Sequence, residues 1–335
     1  MRFQNYLKNL SENEYVNNES PICMWGLENI LNKMYLEIKE KHNSSMLKLI
    51  SSELGVKSQN CRAFYHWIKD GVPIPISKFL KLVELWRITC KKSSKDASMI
   101  IQKAFTTVDY FSTKRGKKAK LPKVMTLELA YLIGFISGDG HLLDPIKEKK
   151  RTGYFEFRLK ITDEKEYVLK NYVNIYLKKI FDLNFNIYKY KNRNAYEYYI
   201  TSKVLFLFLN KIVGLPEGKK GGRLHIPKII LNSNSKIKSS YLKGFFDSDG
   251  FVTTNKKVGF NLGKTEKPLL KEINLLFNQL EINTRKITET KGWEPSISWG
   301  SLYSFIDRIS SNNPEKLIKL NNLREGLMPH ANQKI

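Results

Sequence analysis

Beyond residue 120 the pattern of apolar and polar positions runs through the same series twice. Each series opens on a matching stretch, the first of them apolar nearly all round. The first is Tyr131-Leu132-Ile133-Gly134-Phe135-Ile136-Ser137-Gly138-Asp139-Gly140, and the second is Tyr241-Leu242-Lys243-Gly244-Phe245-Phe246-Asp247-Ser248-Asp249-Gly250. Their Asp-Gly pairs lie 110 positions apart. A helical pattern without a polar face predicts a buried helix. A short strand follows (His141 to Leu143; Phe251 to Thr254), then a longer strand of period two (Tyr154 to Ile161; Lys257 to Leu262). An amphipathic helix comes next (Glu166 to Phe181; Pro268 to Leu280). Two further strands (Asn184 to Lys191 with Glu197 to Ile200; Thr284 to Thr290 with Ser296 to Trp299) lead to a last helix (Val204 to Val213; Ser304 to Ser310). Each copy reads α-β-β-α-β-β-α, which predicts an α+β fold of two pseudo-symmetric half-domains packed through their opening helices.

The first third of the chain reads as helical. Met46 to Leu54 has apolar residues at helical spacing, and Gly55-Val56-Lys57 breaks it. Ser58 could cap a second helix carrying Ala63, Phe64, Trp67 and Ile68, ending near Asp70-Gly71; Ser77 could cap a third, running to about Ile88. Helix, three-residue turn with glycine, helix is the order of a helix-turn-helix reader of DNA, which this stretch resembles near 46–70. Any small helical bundle shares the pattern, so a plain all-α domain is the alternative. If the stretch reads DNA, Gln59, Arg62, His66 and Lys69 are the outward polar candidates.

Charge sets the boundaries. Lys91-Lys92-Ser93-Ser94-Lys95 and Lys114-Arg115-Gly116-Lys117-Lys118-Ala119-Lys120 are basic runs of low hydrophobicity. The second is expected to stay solvated as a linker or to lie along a phosphate backbone. The expected organisation is an all-α N-terminal domain over 1–113, a basic linker over 114–123 and a first half-domain over 124–214. A connector over 215–236, a second half-domain over 237–325 and a tail over 326–335 complete it.

Across all 335 residues, 57 Lys and Arg face 32 Asp and Glu, a formal net charge of +25. So basic a folded chain points to a polyanionic partner. The three cysteines (Cys23, Cys61, Cys90) are odd in number and widely spaced, which argues against a disulfide framework or structural zinc site. No secretion signal or membrane-length apolar run is evident, so a soluble protein is expected, cytoplasmic and nucleoid-associated or organellar. The five histidines are dispersed, and neither a nucleophile elbow nor a phosphate-cradling glycine loop is present.

The repeated helix carries the chemistry. Gly134 and Gly138, like Gly244 and Ser248, form a small-residue stripe that lets two such helices approach closely. Each copy then ends on an acid followed by Gly140 or Gly250, a residue suited to a left-handed helix stop. Packed together, the helices bring Asp139 and Asp249 side by side at two carboxyl-terminal ends, where like charges and helix dipoles disfavour a bare pair of carboxylates. A hard divalent cation such as Mg²⁺ relieves that repulsion, and a metal held between paired acids can activate water against a phosphodiester. The bland alternative is that each Asp merely begins a turn after a buried helix.

These motifs resemble the LAGLIDADG homing endonucleases in their single-chain, two-motif form, over roughly residues 125–325. The segment Gly218 to Pro227 also looks like the connector of the intein-type branch. The resemblance implies metal-dependent cleavage of both strands of a long asymmetric double-stranded DNA site by a monomer, with short 3′ overhangs. It implies Mg²⁺ as cofactor, with Mn²⁺ as a substitute, and a saddle of two four-stranded sheets lying in successive major grooves. Carried over by position, it implies Asp139 and Asp249 as metal ligands, aided by the carbonyls of Gly138 and Ser248. It likewise implies Lys264 as the basic residue that orients the attacking water. The first copy has Ile161-Thr162-Asp163-Glu164 at the matching place, an acid where a lysine is expected, with Lys160 or Lys165 the nearest cations. Ser137 replaces the motif's first acid, which is not a metal ligand in the family.

On the predicted strands lie Arg158, Lys160, Lys189, Lys191, Arg193, Arg285, Lys286, Lys291 and Trp299, a group suited to phosphates and guanine edges. An intein would need a nucleophile at residue 1 and a terminal Asn, which Met1 and Ala331 to Ile335 do not supply; a freestanding or intron-encoded protein is expected. The alternative from another class is a cleavage-inactive relative acting as an RNA splicing maturase or DNA-binding regulator. Retention of both acids argues against it.

Overall fold

The computed structural model describes residues 21–41, 62–163, 166–191, 195–253, 257–285 and 292–325. The described residues divide into two compact units, one of 21–123 with 203–205, the other of 124–202 and 206–325. Among the described residues no helix is long and apolar enough to cross a membrane.

The N-terminal unit holds β1 (Ile22–Met24), α1 (Glu28–Lys41), α2 (Arg62–Lys69), β2 (Ile74–Pro75), α3 (Ile76–Thr89), α4 (Ser94–Thr107) and β3 (Phe111–Thr113). Ile30, Leu31, Met34 and Ile38 of α1 are buried, as are Phe79, Leu82, Val83 and Trp86 of α3. The Trp86 indole donates to Glu37 of α1 at 3.0 Å. An all-α domain is not what forms: β2, β1 and β3 make a three-stranded antiparallel sheet in that order. Strands of two or three residues are too short to print a period-two pattern on a sequence, so only the helices were visible there.

Both basic runs are also folded. Ser93 caps α4 in a capping box with Asp96, so the first run is a helix start rather than a break. In the second, Phe111 and Ala119 exchange two backbone hydrogen bonds of 2.8 Å. The Lys118 ammonium stands 3.5 Å from the centroid of the Trp25 ring. Residues 46–61 of the expected helix-turn-helix lie outside the described residues; of that stretch α2 is described, with Trp67 and Ile68 buried.

In the C-terminal unit the first motif helix, α5 (Leu127–Gly138), is capped by Thr126 and buried along Leu129 to Ser137. It leads into β4 (Gly140–Leu142), α6 (Pro145–Thr152) and β5 (Arg158–Asp163). Helix α7 follows, built of Glu166–Val168, a π-turn Leu169–Val173 and Asn174–Phe181. Then come β6 (Asn186–Lys189), β7 (Tyr196–Thr201) and α8, which is Lys203–Leu207 running into a π-turn Phe208–Val213. The four strands form one antiparallel sheet in the order β4-β5-β7-β6. Leu159, Ile161, Tyr198 and Ile200 fill its buried face.

After α9 (Lys228–Leu231), the second motif helix α10 (Ser235–Asp249) repeats the plan, with Asn234 as its cap. It is followed by β8 (Gly250–Val252), β9 (Val258–Phe260), β10 (Leu262–Gly263), a 3₁₀ turn (Lys264–Glu266) and α11 (Lys267–Gln279). The chain continues through β11 (Gly292–Trp293), a 3₁₀ turn (Trp299–Ser301), α12 (Leu302–Arg308) and α13 (Pro314–Glu325). Here β8 pairs with β9, and the single bridges Gly259↔Ser296 and Thr284↔Ile297 extend that pair in the strand order of the first sheet. Of the strand expected over Thr284 to Thr290, residues 286–290 lie outside the described residues; Ser296 and Ile297 make single bridges rather than a full strand, and Trp299 begins a helical turn. Helix α6 has no counterpart among the described residues of the second copy, and the β10–β11 pair and α13 have none in the first.

Gly140 and Gly250 are not left-handed stops; neither has positive φ, and Gly250 is extended at φ −78° and ψ 154°. Each is instead the first residue of a strand folded back over its own helix. A Cβ on Gly140 would stand 2.6 Å from the Ile136 carbonyl oxygen, and one on Gly250 would fall on that of Phe246.

Candidate active site

Helices α5 and α10 meet backbone to backbone. A Cβ on Gly134 would collide with the Tyr241 carbonyl and stand 3.0 Å from the Phe245 nitrogen. A Cβ on Gly244 would collide with the Tyr131 carbonyl and stand 2.9 Å from the Phe135 nitrogen, so the two contacts mirror each other. One turn on, a Cβ on Gly138 would stand 2.7 Å from Ser248 Cβ and 2.9 Å from an Asp249 carboxylate oxygen. The small-residue stripe thus carries the two Asp-Gly ends to the same place. Burial pushes the Asp249 carboxyl up to about 6, opposed by Lys220 and Lys316 and reinforced by Glu266.

Two lysines complete this end of the helices. The Lys220 ammonium donates to the carbonyls of Ile136 (3.1 Å), Ser137 (2.8 Å) and Gly138. The Lys316 ammonium donates to those of Phe246 (2.7 Å), Asp247 (2.9 Å) and Ser248 (3.3 Å). The two carbonyl triplets are equivalent positions of the repeat. Each lysine thus places its three donors on the open carbonyls and negative dipole end of one motif helix. Burial lowers the Lys220 ammonium to about 8, with Asp249, Asp139 and Glu266 holding it up. Neither lysine stood out in the sequence. Lys220 lies in the segment read as a connector, and Lys316 lies past the last expected helix, so no local periodicity marks them.

Chemically, the two ends gather hard oxygen donors in the carboxylates of Asp139 and Asp249, while the Gly138 and Ser248 carbonyls expected beside them already accept from Lys220 and Lys316. That set fits a hard divalent cation. Among the described residues no group of three or more His, Cys, Asp or Glu offers another metal site. Lys264 opens the 3₁₀ turn over β10, exposed, with its carbonyl accepting the Trp293 indole at 3.0 Å. The charge of Glu266 in this turn bears on both Asp249 and Lys220. Asp163 ends β5; Glu164 and Lys165 lie outside the described residues.

The register of the first sheet sorts the basic candidates. His141 faces Lys160, Lys160 faces Tyr199 and Arg158 faces Thr201, so Arg158 and Lys160 share the face opposite the buried one. Both already have acidic partners, Glu156 for Arg158 and Glu197 at 3.3 Å for Lys160. The Arg158 guanidinium also lies 4.9 Å from the Tyr199 ring centroid. Lys189 does not belong with them. It pairs with Tyr196, one step out of phase with the Asn186 and Tyr188 positions that share the Tyr199–Glu197 face. Lys191 is exposed beyond the strand, and Arg193, Lys286 and Lys291 lie outside the described residues. Arg285 is exposed, its backbone N–H on the Ser296 carbonyl at 2.8 Å, and Trp299 is 39% exposed. In the N-terminal unit, Arg62 opens α2, and Lys69 ends it exposed, over the Tyr65 ring at 5.7 Å. Gln59 lies outside the described residues, and the His66 imidazole is hydrogen-bonded with the Asp70 carboxylate.

A stretch of 159 residues is 34% identical to glutamine–fructose-6-phosphate aminotransferase of Methanocaldococcus jannaschii, covering 47% of this chain and 13% of that protein. An uncharacterised protein of the same organism is 27% identical over 199 residues, 57% of this chain and 63% of its own. A DNA polymerase of that organism is 28% identical over 214 residues, 56% of this chain and 12% of its own. The chain thus spans less than two thirds of the length of each. Similar solved structures include the homing endonuclease I-DmoI, with TM-score 0.42 and 20% identity, covering 55% of this chain and 94% of that one. The homing endonuclease I-WcaI bound to its DNA recognition sequence is another, with TM-score 0.43 and 16% identity, covering 59% and 87%. The family model described as a LAGLIDADG-like domain matches residues 236–319, so this stretch, which carries the second Asp-Gly motif, is similar to that family.

Proposed function

We propose that the chain is a site-specific, divalent-metal-dependent DNA endonuclease that cuts both strands of a long asymmetric target. The observation that carries this reading is the meeting of two Asp-Gly helix ends, each with a half-buried lysine seated on its last carbonyls. A protein that only bound DNA would gain nothing from pairing half-buried carboxylates where phosphates must approach. Asp139 and Asp249, with the carbonyls of Gly138 and Ser248, would hold Mg²⁺, or Mn²⁺ in its stead. Bound there, such a cation would lower the pKa of a water and offset charge on a phosphodiester oxygen. Lys220 and Lys316 add fixed positive charge beside the two acids, where charge builds up as each strand is attacked. Arg158 and Lys160, with Tyr199 and His141, form a basic and aromatic sheet face suited to a major groove, and Arg285 is the counterpart candidate in the second half. Lys264 is left as an exposed contact to the phosphate backbone. The relatives' aminotransferase and DNA polymerase activities are tied to proteins matched over 13% and 12% of their length, and they are not carried over.

The test is cleavage of a pooled library of randomised and genomic DNA with Mg²⁺, break ends being mapped by sequencing. Asp139→Asn and Asp249→Asn are each expected to abolish double-strand breaks while leaving specific DNA binding within a few-fold, and EDTA is expected to do the same. Binding lost in step with cutting would remove the acids from the chemistry. Specific retention of DNA or RNA without breaks in the unaltered protein would favour the regulator or maturase reading.

A further inference from the structure

The two halves hold their lysines by different means. In the second half the hinge is Asp247, two residues before the acid at the helix end and 4% exposed. Its carboxylate accepts from the Tyr131 hydroxyl of the other motif helix at 2.6 Å and from the Ser311 hydroxyl. It also accepts from the backbone N–H of Asn312 at 3.0 and 3.1 Å and of Asn313 at 3.4 Å. That loop starts α13: the Asn313 side-chain oxygen accepts from the N–H of Glu315 at 3.1 Å and of Lys316 at 3.3 Å. Lys316 then returns its ammonium to the backbone carbonyl of Asp247 and its two neighbours. The side chain of Asp247 fixes the loop, and the loop fixes the lysine.

In the first half this device is missing. Ser137 stands at the position of Asp247, and its hydroxyl turns back to the Ile133 carbonyl at 2.8 Å. The Tyr241 hydroxyl, counterpart of Tyr131, is buried beside the Ser137 hydroxyl, which is turned to its own helix, and meets no carboxylate. Lys220 comes instead from the connector, which is tied down by the Gly218 N–H on the Leu142 carbonyl at 2.7 Å. The N–H groups of Arg223 and Leu224 close on Lys220's own carbonyl at 2.8 and 3.1 Å.

We propose that Asp247 is a positioning residue for Lys316 and so governs one of the two strand cuts. The inference rests on the nuclease reading above, but the placement of the lysine can be measured apart from cleavage. Asp247→Ser gives the second half the residue of the first. With supercoiled plasmid bearing the target, nicked circles are expected to accumulate. The rate at one strand should fall roughly 10- to 100-fold, as for loss of a residue that orients a site group, with DNA affinity and the other strand's rate unchanged. Lys316→Met should slow that same strand, and Lys220→Met the other. In parallel, acylation of lysines read by mass spectrometry should show Lys316 labelled roughly 10-fold faster or more in Asp247→Ser, with Lys220 unchanged. Equal slowing of both strands, or unchanged Lys316 labelling, would overturn the proposal. If the serine variant does not fold, Ser311→Ala and Asn313→Ala interrupt the same chain of bonds within the loop and carry the same expectations. If the unaltered protein cuts no DNA, the nuclease reading fails, and the labelling alone decides whether Asp247 seats Lys316.

Discussion

At the scale of single residues, the asymmetry of the motif helices gives two tyrosines at equivalent positions opposite energetics. Tyr131 donates to a buried carboxylate, whereas the buried hydroxyl of Tyr241 has beside it only a serine hydroxyl turned to its own helix. Removing a donor from a buried charged acceptor costs about 1–3 kcal/mol, while removing a hydroxyl so placed returns the cost of its desolvation. Tyr131→Phe is therefore expected to lower the urea midpoint of unfolding and Tyr241→Phe to leave it unchanged or raise it. Equal losses in the two variants would mean that the Tyr241 hydroxyl does find a partner. Residues of this kind are not legible in a sequence. Tyr131 and Tyr241 are the same letter in aligned motifs, and what separates them is the Ser137-for-Asp247 exchange on the opposite helix. That exchange was visible in the aligned motifs, but its consequence needed the crossing of the two helices.

At the scale of elements, the contact of α5 and α10 leaves no room for a side chain at its centre. A Cβ at Gly134 meets the Tyr241 carbonyl, which belongs to a helix backbone and cannot swing aside. Overpacking a well-filled core costs roughly 1–3 kcal/mol and more where backbone must move. Gly134→Ala and Gly244→Ala are each expected to lower thermal stability by about the top of that range. Gly153→Ala, at φ +86° with nothing within 4 Å, should cost about 1–2 kcal/mol through its left-handed backbone alone. Calorimetry on the three variants separates the two causes, and a harmless Gly134→Ala would sink the close contact. This contact was legible beforehand, because a helix apolar all round with small residues four apart can do little else. The first sheet was legible too, since Leu159, Ile161, Tyr198 and Ile200 alternate with polar neighbours. The three-stranded sheet of the N-terminal unit was not, its strands being two or three residues long. Nor were the seats of Lys220 and Lys316, which depend on where a connector and a late helix return rather than on any local period.

At the scale of the whole molecule, the excess of 25 positive charges sets how affinity responds to salt. Part of the basic surface is already paired: Arg158, Lys160, Lys178, Lys179 and Arg308 all sit within ion-pair distance of acids. A DNA surface built this way exchanges protein ion pairs for phosphate contacts, so fewer counterions are displaced than the net charge suggests. Each phosphate neutralised contributes about −0.9 to the slope of log K against log salt, and roughly six to ten such contacts lose about 10³ to 10⁵ in affinity between 50 and 200 mM. We expect a slope in that range for the bound target. Arg158→Ala should weaken binding and reduce the slope by about one if the guanidinium leaves Glu156 for a phosphate. It should change neither if the pair with Glu156 survives in the complex. Asp139→Asn and Asp249→Asn remove negative charge beside the same phosphates without adding a contact, so they should leave the slope as it is while abolishing cleavage. Salt titration of these three variants thus separates residues that track the DNA backbone from residues that act on it. A flat response in the unaltered protein would mean that its positive excess faces something other than nucleic acid.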